Sequence, residues 1–200
     1  MINWFKKEFG LREMQIAEKT GRTPEELFDD MIINIPAGSM GLILQPYWSP
    51  GLKIPGTEAK GAIIGFGDVR TRAHIYRAIL EGLAFSLKEG LIRTVNRTKI
   101  PVKKIIVSGG GSQSRQAMQI TADVFNMPAY KPHTYETSSL GAAINAAVGM
   151  KYYQDYNEAV KSMTHPGEQY LPDSNNVNMY NQIFEKVYSK MYKRLHPLYD

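Results

Sequence analysis

Apolar residues open the chain at three- and four-residue steps with charges between them. Ile2, Phe5 and Phe9 share a face beside Trp4, a helical period. Gly10 is expected to end that helix. Thr23-Pro24-Glu25-Glu26 marks a new start, with a helix over Pro24 to Met31: a capping hydroxyl, proline at the first position, then carboxylates near the positive end. Two β-type runs follow, Gly41 to Tyr47 and Lys60 to Phe66, the first stopped at Pro46. Between them Trp48 to Lys60, rich in Gly and Pro, is expected to be an exposed loop. Residues 70–98 carry the longest helical signal, with Ile75, Ile79, Leu83, Leu87 and Leu91 as one stripe. Asp68 or Thr71 is its expected cap. Gly82 inside it costs about 1 kcal/mol against Ala, which close packing on a neighbouring element is expected to offset.

In the second half Lys104 to Val107 is a short β run, and Gly109-Gly110-Gly111 ends it. A helix over Arg115 to Phe125 and a strand near Pro128 to Lys131 come next. Another helix runs to Gly149, with Thr137 or Ser138 as its expected cap. Its small residues Gly141, Ala142, Ala143, Ala146 and Ala147 are expected to pack tightly in the core. Helices over about 155–163 and 175–195 close the chain, the last with the stripe Tyr180, Phe184, Val187, Met191 and Leu195, and Thr164 to Ser174 is expected as the loop between them. After residue 60 strands and helices alternate, which predicts a layered α/β domain.

The 200 residues suffice for one sizeable domain. There is no cysteine, which excludes disulfides, thiolate metal sites and cysteine nucleophiles and suits a cytoplasmic protein. No apolar run reaches the roughly 18–20 residues of a membrane span, and the charged N-terminus does not resemble a secretory signal. The net charge is +5. Its densest groups, Lys99, Lys103 and Lys104, and Lys186, Lys190, Lys193 and Arg194, read as solvated helix faces. The expected partners therefore include neither nucleic acid nor membrane.

Candidate chemistry is sparse. His74, His133, His165 and His196 are not paired at ligand spacing, so no metal site is expected. His133 alone lies near the triple glycine, as a loop residue. There is no Gly-x-Ser-x-Gly elbow. Glu81 and Asp123 lie on predicted helices and are expected in packing or hydrogen-bond networks. No catalytic residue is expected in this chain. The triple glycine fits neither a dinucleotide fingerprint, because position 114 is Ser114, nor a P-loop. Strand, glycine turn and helix suit a nucleotide cradle, but a plain structural turn has the same sequence.

Four segments in order reduce that ambiguity: Tyr76-Arg77-Ala78-Ile79-Leu80-Glu81-Gly82-Leu83-Ala84-Phe85, Val107 to Ser114, Ala122-Asp123-Val124-Phe125, and Glu136-Thr137-Ser138-Ser139-Leu140-Gly141-Ala142-Ala143. Together with Pro46-Tyr47 and Gly61 to Gly65, they resemble the C-terminal domain of the FGGY carbohydrate kinases, the group of xylulokinase, gluconokinase and glycerol kinase. The resemblance runs from Met1 to about Met150. It implies an α/β domain of the actin-like ATPase (ribonuclease H-like) architecture, the C-terminal half of a two-domain sugar kinase. Residues 1–31 would be a helical lead-in, 32–150 the α/β core and 151–200 a helical tail, with the N-terminal sugar and catalytic domain absent.

The resemblance also implies ATP as cofactor, with the Mg2+ ligands outside this chain, and a sugar or polyol bound through the missing domain. Gly109, Gly110, Gly111, Ser112, Gln113, Ser114 and Arg115 would form the adenosine-binding turn, and Asn3 would lie near the phosphates. Glu136, Ser139 and Gly141 would wall the base pocket. The family's Asp-x-Gly-Thr loop and catalytic aspartate do not occur. Trp48 to Pro55 replaces the frequent Arg-Thr-Pro element, and Ala117 stands where many members carry an aromatic residue. The chain alone is therefore expected to be inactive, and surface left by a missing domain could pair it as a homodimer. An actin-like ATP-binding module for regulation or assembly is the alternative.

Overall fold

The computed structural model describes residues 1–48, 55–165 and 167–199; the part of the expected exposed loop from Ser49 to Ile54 lies outside them. The lead-in is three helices, α1 (Ile2–Phe9), α2 (Leu11–Thr20) and α3 (Pro24–Ile32). Gly10 separates the first two, and a Cβ there would meet the Phe28 ring at 2.6 Å. Thr23 and Glu26 close the expected start of α3 as a capping box: the Glu26 N–H donates to Thr23 Oγ1 at 3.3 Å and the Thr23 N–H to the Glu26 carboxylate at 3.2 Å.

Both following strands are shorter than expected. β1 (Ile43–Gln45) pairs antiparallel with β2 (Ala62–Ile64), Ile43 opposite Ile64. Pro46 stops the first, and Gly65, at φ +91°, turns the chain away after the second. Ala59, placed in the expected exposed loop, is buried.

The long helix is α4 (Arg72–Thr98). Thr71, not Asp68, caps it, its N–H donating to His74 Nδ1 at 3.2 Å. The expected apolar stripe does not describe its burial. Ile79 is fully buried, whereas Leu87 is 63% exposed. Burial follows position along the axis: Ala73 to Phe85 is enclosed on nearly all sides, and the rest projects from the core. Gly82 lies against the Leu44 backbone carbonyl, with no room for a Cβ, so the expected compensation is present.

After α4 come β3 (Ile105–Ile106), the glycine turn, α5 (Arg115–Phe125) and β4 (Ala129–Tyr130), with β3 and β4 parallel. α6 (Thr137–Gly149) follows Glu136, so Thr137 and Ser138 lie inside the helix rather than capping it. The expected tight packing of its alanines is also corrected. Ala142, Ala143 and Ala146 are exposed and Ile144 is its buried residue. Among the described residues α6 packs mainly on α7 (Tyr156–Met163). The expected loop 164–174 contains a strand, β5 (Gln169–Tyr170), antiparallel to β4.

α8 (Ser174–Ile183) passes through a π turn, Phe184–Tyr188, into α9 (Ser189–Leu195). Val187 and Leu195 of the expected stripe are half-buried along it, whereas Tyr180, Phe184, Tyr188 and Met191 are buried. They share one core with Phe5, Phe28, Tyr76, Ile79 and Phe85. The tail is thus built into the main core through α8, the π turn and α9. No helix among the described residues is long and apolar enough to cross a membrane.

Candidate functional site

Gly109 needs to be glycine for conformational reasons: its φ is +79°, where a side chain is strained. Its N–H donates to the Tyr135 carbonyl at 3.1 Å, and the Ser112 N–H and hydroxyl both donate back to the Gly109 carbonyl, at 3.1 and 2.8 Å. Ser112 is therefore buried, with its hydroxyl turned into the protein. The turn continues as a 3-10 segment, Gly110–Gln113, up to Ser114, which caps α5 by accepting from the Ala117 N–H at 3.0 Å.

Gly110 and Gly111 differ from Gly109. Neither has a positive φ, and a Cβ on either would meet no atom within 4 Å. Nothing in the fold requires glycine there. Both border a cavity of about 180 Å³. Ile2, Tyr76, Leu80 and Ala117 form its apolar lining, with Asn3, Ser114 and the Lys6–Glu25 ion pair as its polar groups. Burial, with the nearby Asp29 and Glu25 charges, raises the Tyr76 hydroxyl well above the ordinary phenol range, so Tyr76 presents a neutral ring. An apolar slot of this size beside bare backbone, with a few polar groups on its border, suits a flat heterocycle whose polar substituents lie outside it.

The structure therefore brings Asn3, Gly110, Gly111 and Ser114 around one cavity. Asn3 also borders a second, more open cavity of about 450 Å³ with Met1, Pro46, Trp48 and Leu83. Gln113 and Arg115 instead line a charged cavity of about 460 Å³ with Asp29, Lys131 and Glu168. Glu136 and Ser139 are exposed and Gly141 is half-buried on α6; none of the three lines any of these cavities. Their segment reaches the glycine turn through the Tyr135 carbonyl.

The sequence reading missed Lys6, Glu25 and Asp29. Asp29 accepts from the Ser114 hydroxyl, from the Arg115 N–H at 2.7 Å and from the Gln116 N–H at 3.3 Å. It lies 85 residues from Ser114, beyond the reach of any local pattern. His133 and His165, unpaired by sequence spacing, are brought together with ring centroids 5.2 Å apart. Among the described residues no group of three His, Cys, Asp or Glu could hold a metal ion.

Residues 1–150 match the profile described as the FGGY family of carbohydrate kinases, C-terminal domain. An uncharacterized sugar kinase of Escherichia coli K12 is 34% identical over 96% of this chain and 39% of its own length. The xylulose kinase of Lactococcus lactis is 30% identical over 96% of this chain and 36% of its length. The chain thus spans well under half the length of the curated relatives it matches. Among solved structures, the ligand-bound xylulose kinase of Lactobacillus acidophilus superposes with TM-score 0.75 and 26% identity, covering 94% of this chain and 38% of that one. The Plasmodium falciparum glycerol kinase structure, at 21% identity and TM-score 0.73, shares the fold. The expected actin-like ATPase architecture is thereby shown.

Proposed function

We propose that this chain, which belongs to the FGGY family of carbohydrate kinases, is the ATP-holding domain of a kinase that transfers the γ-phosphate of ATP to a sugar or polyol hydroxyl. Kinases of this family use ATP and Mg2+ generally. The carrying observation is the pair Gly110 and Gly111: glycines that the fold does not need, bordering an apolar slot. A ligand lying against the backbone supplies the missing reason for them.

In this reading the adenine enters the slot between Ala117 and the Tyr76 and Leu80 side chains. The ribose and α-phosphate lie on Gly110 and Gly111, and Asn3 approaches the phosphates. Gln113 and Arg115 stand at the far side of the turn, toward the charged cavity. The Mg2+ ligands and the aspartate that deprotonates the acceptor hydroxyl are assigned to the rest of the enzyme. Domain closure over the nucleotide would exclude water from the transfer. The relatives above carry sugar-kinase names, which favours this reading over a regulatory or assembly module. Relatives named xylulose kinase and glycerol kinase both match this chain, which makes the acceptor class a sugar or polyol hydroxyl.

Calorimetric titration of adenosine and ATP against wild type and Gly110→Val tests the site. A valine at 110 has open space around its Cβ, so stability is expected within about 1 kcal/mol of wild type, with affinity reduced at least about tenfold. Equal affinity in the two proteins would remove Gly110 from the site.

A further inference from the structure

We propose that Asp29 is a positioning residue for nucleotide binding: from α3 it fixes the α5 end of the glycine turn. The inference rests on the reading of the glycine cavity as the adenosine site. The first N–H groups of any helix lack partners within it. α5 meets that need twice. Ser114 is the local cap, accepting from the Ala117 N–H at 3.0 Å. Asp29, from the other end of the lead-in, takes the Arg115 and Gln116 N–H groups on Oδ2 and the Ser114 hydroxyl on Oδ1. One carboxylate therefore holds both the cap and the helix it caps.

Capping accounts for the bonds themselves: Ser114 serves the Ala117 N–H, and Asp29 serves the Arg115 and Gln116 N–H groups. Asp29 is half-buried, and burial pushes its carboxyl above the ordinary range while the Ser114 hydroxyl and the two N–H groups act in the opposite direction. What capping does not require is that the second cap come from α3, 85 residues away, with a partly desolvated carboxylate. Its position gives the reason. Gly110 and Gly111 have no side chains to hold them, so their backbone is set by the ends of the turn. At one end the Gly109 N–H is tied to the Tyr135 carbonyl. At the other, Ser114 borders the nucleotide cavity on one side and is held by Asp29 from the other. The α5 N-terminus is already occupied by this carboxylate, so it is not the place for the nucleotide's phosphates.

The experiment compares wild type, Asp29→Ala and Asp29→Asn by amide hydrogen exchange without ligand and by adenosine calorimetry well below each protein's Tm. Asp29→Ala is expected to speed exchange at Arg115 and Gln116 and to weaken adenosine binding about tenfold. Asp29→Asn keeps an oxygen that can accept from the Arg115 N–H, and is expected to retain most of the affinity. A purely structural role would lower Tm in Asp29→Ala and leave affinity in the folded protein unchanged; that result overturns the proposal alone. Wild type that binds no adenosine overturns the site reading and the proposal with it. Should Asp29→Ala fail to fold, affinity and exchange in Asp29→Asn that both equal those of Asp29→Glu, whose longer stem misplaces the carboxylate, would also overturn it.

Discussion

Glu81 shows how one buried carboxylate ties distant segments together. Its oxygens accept from the Gly38 N–H at 2.9 Å, the Ser39 hydroxyl at 2.9 Å, Arg77 Nε at 2.8 Å and the Tyr180 hydroxyl at 2.8 Å. Glu81→Ala would leave the Arg77 guanidinium buried without its counter-charge. The expected loss is about 3–5 kcal/mol, read by chemical denaturation. Glu13 gives a pH-dependent case. Arg72 binds both its oxygens at 2.7 Å and holds its carboxyl below the ordinary range. A lowered folded-state value means stabilisation present above the ordinary glutamate value of about 4.3 and lost as pH falls through the lowered value. Glu13→Gln is expected to cost about 1–2 kcal/mol near neutral pH and much less in strong acid, measured by urea melts at both. Glu81 and Asp123 were legible as network members, because carboxylates on apolar helix faces need partners. Asp123 indeed accepts from Gln119, Asn176 and the Asp173 N–H. Asp29 was not legible, since it lies on a half-buried face and its partners are far along the chain.

At the scale of elements, Gly82 is the clearest link from sequence to packing. Its helix lies so close to β1 that the Leu44 carbonyl occupies the Cβ position. Gly82→Val is expected to force helix and strand apart at a cost of about 1–3 kcal/mol or more, visible as a lowered Tm with an unchanged helical signal. Such a contact can be read from sequence because glycine in a strong helix needs an explanation. What covers each face cannot. The stripe through Leu87 and the alanines of α6 have the right period, yet Leu87 and Ala146 are exposed. Periodicity orients a face without supplying the element that buries it. β5 was invisible for a different reason: two residues, Gln169 and Tyr170, cannot display an alternation.

Across the whole molecule, the first 32 residues and the segment from α8 through the π turn converge on α4. Phe5, Phe28 and Tyr76 meet on one side; Phe85, Tyr180, Phe184 and Tyr188 meet on the other. A chain ending at Met163 would lose three of these aromatic rings. It is expected to show no cooperative thermal transition, and a sharp melt would contradict the joint core. The 200-residue chain should fold yet show no sugar-dependent ATP turnover, because the transferring groups are assigned elsewhere. The central claim is narrower: bare backbone at Gly110 and Gly111 receives the nucleoside. A crystal structure of the chain with adenosine tests it most directly. Density is expected along Gly110 and Gly111, with the base against Tyr76, Leu80 and Ala117 and the Asp29–Ser114 contact intact. Adenosine bound elsewhere, with this cavity empty, would contradict the account.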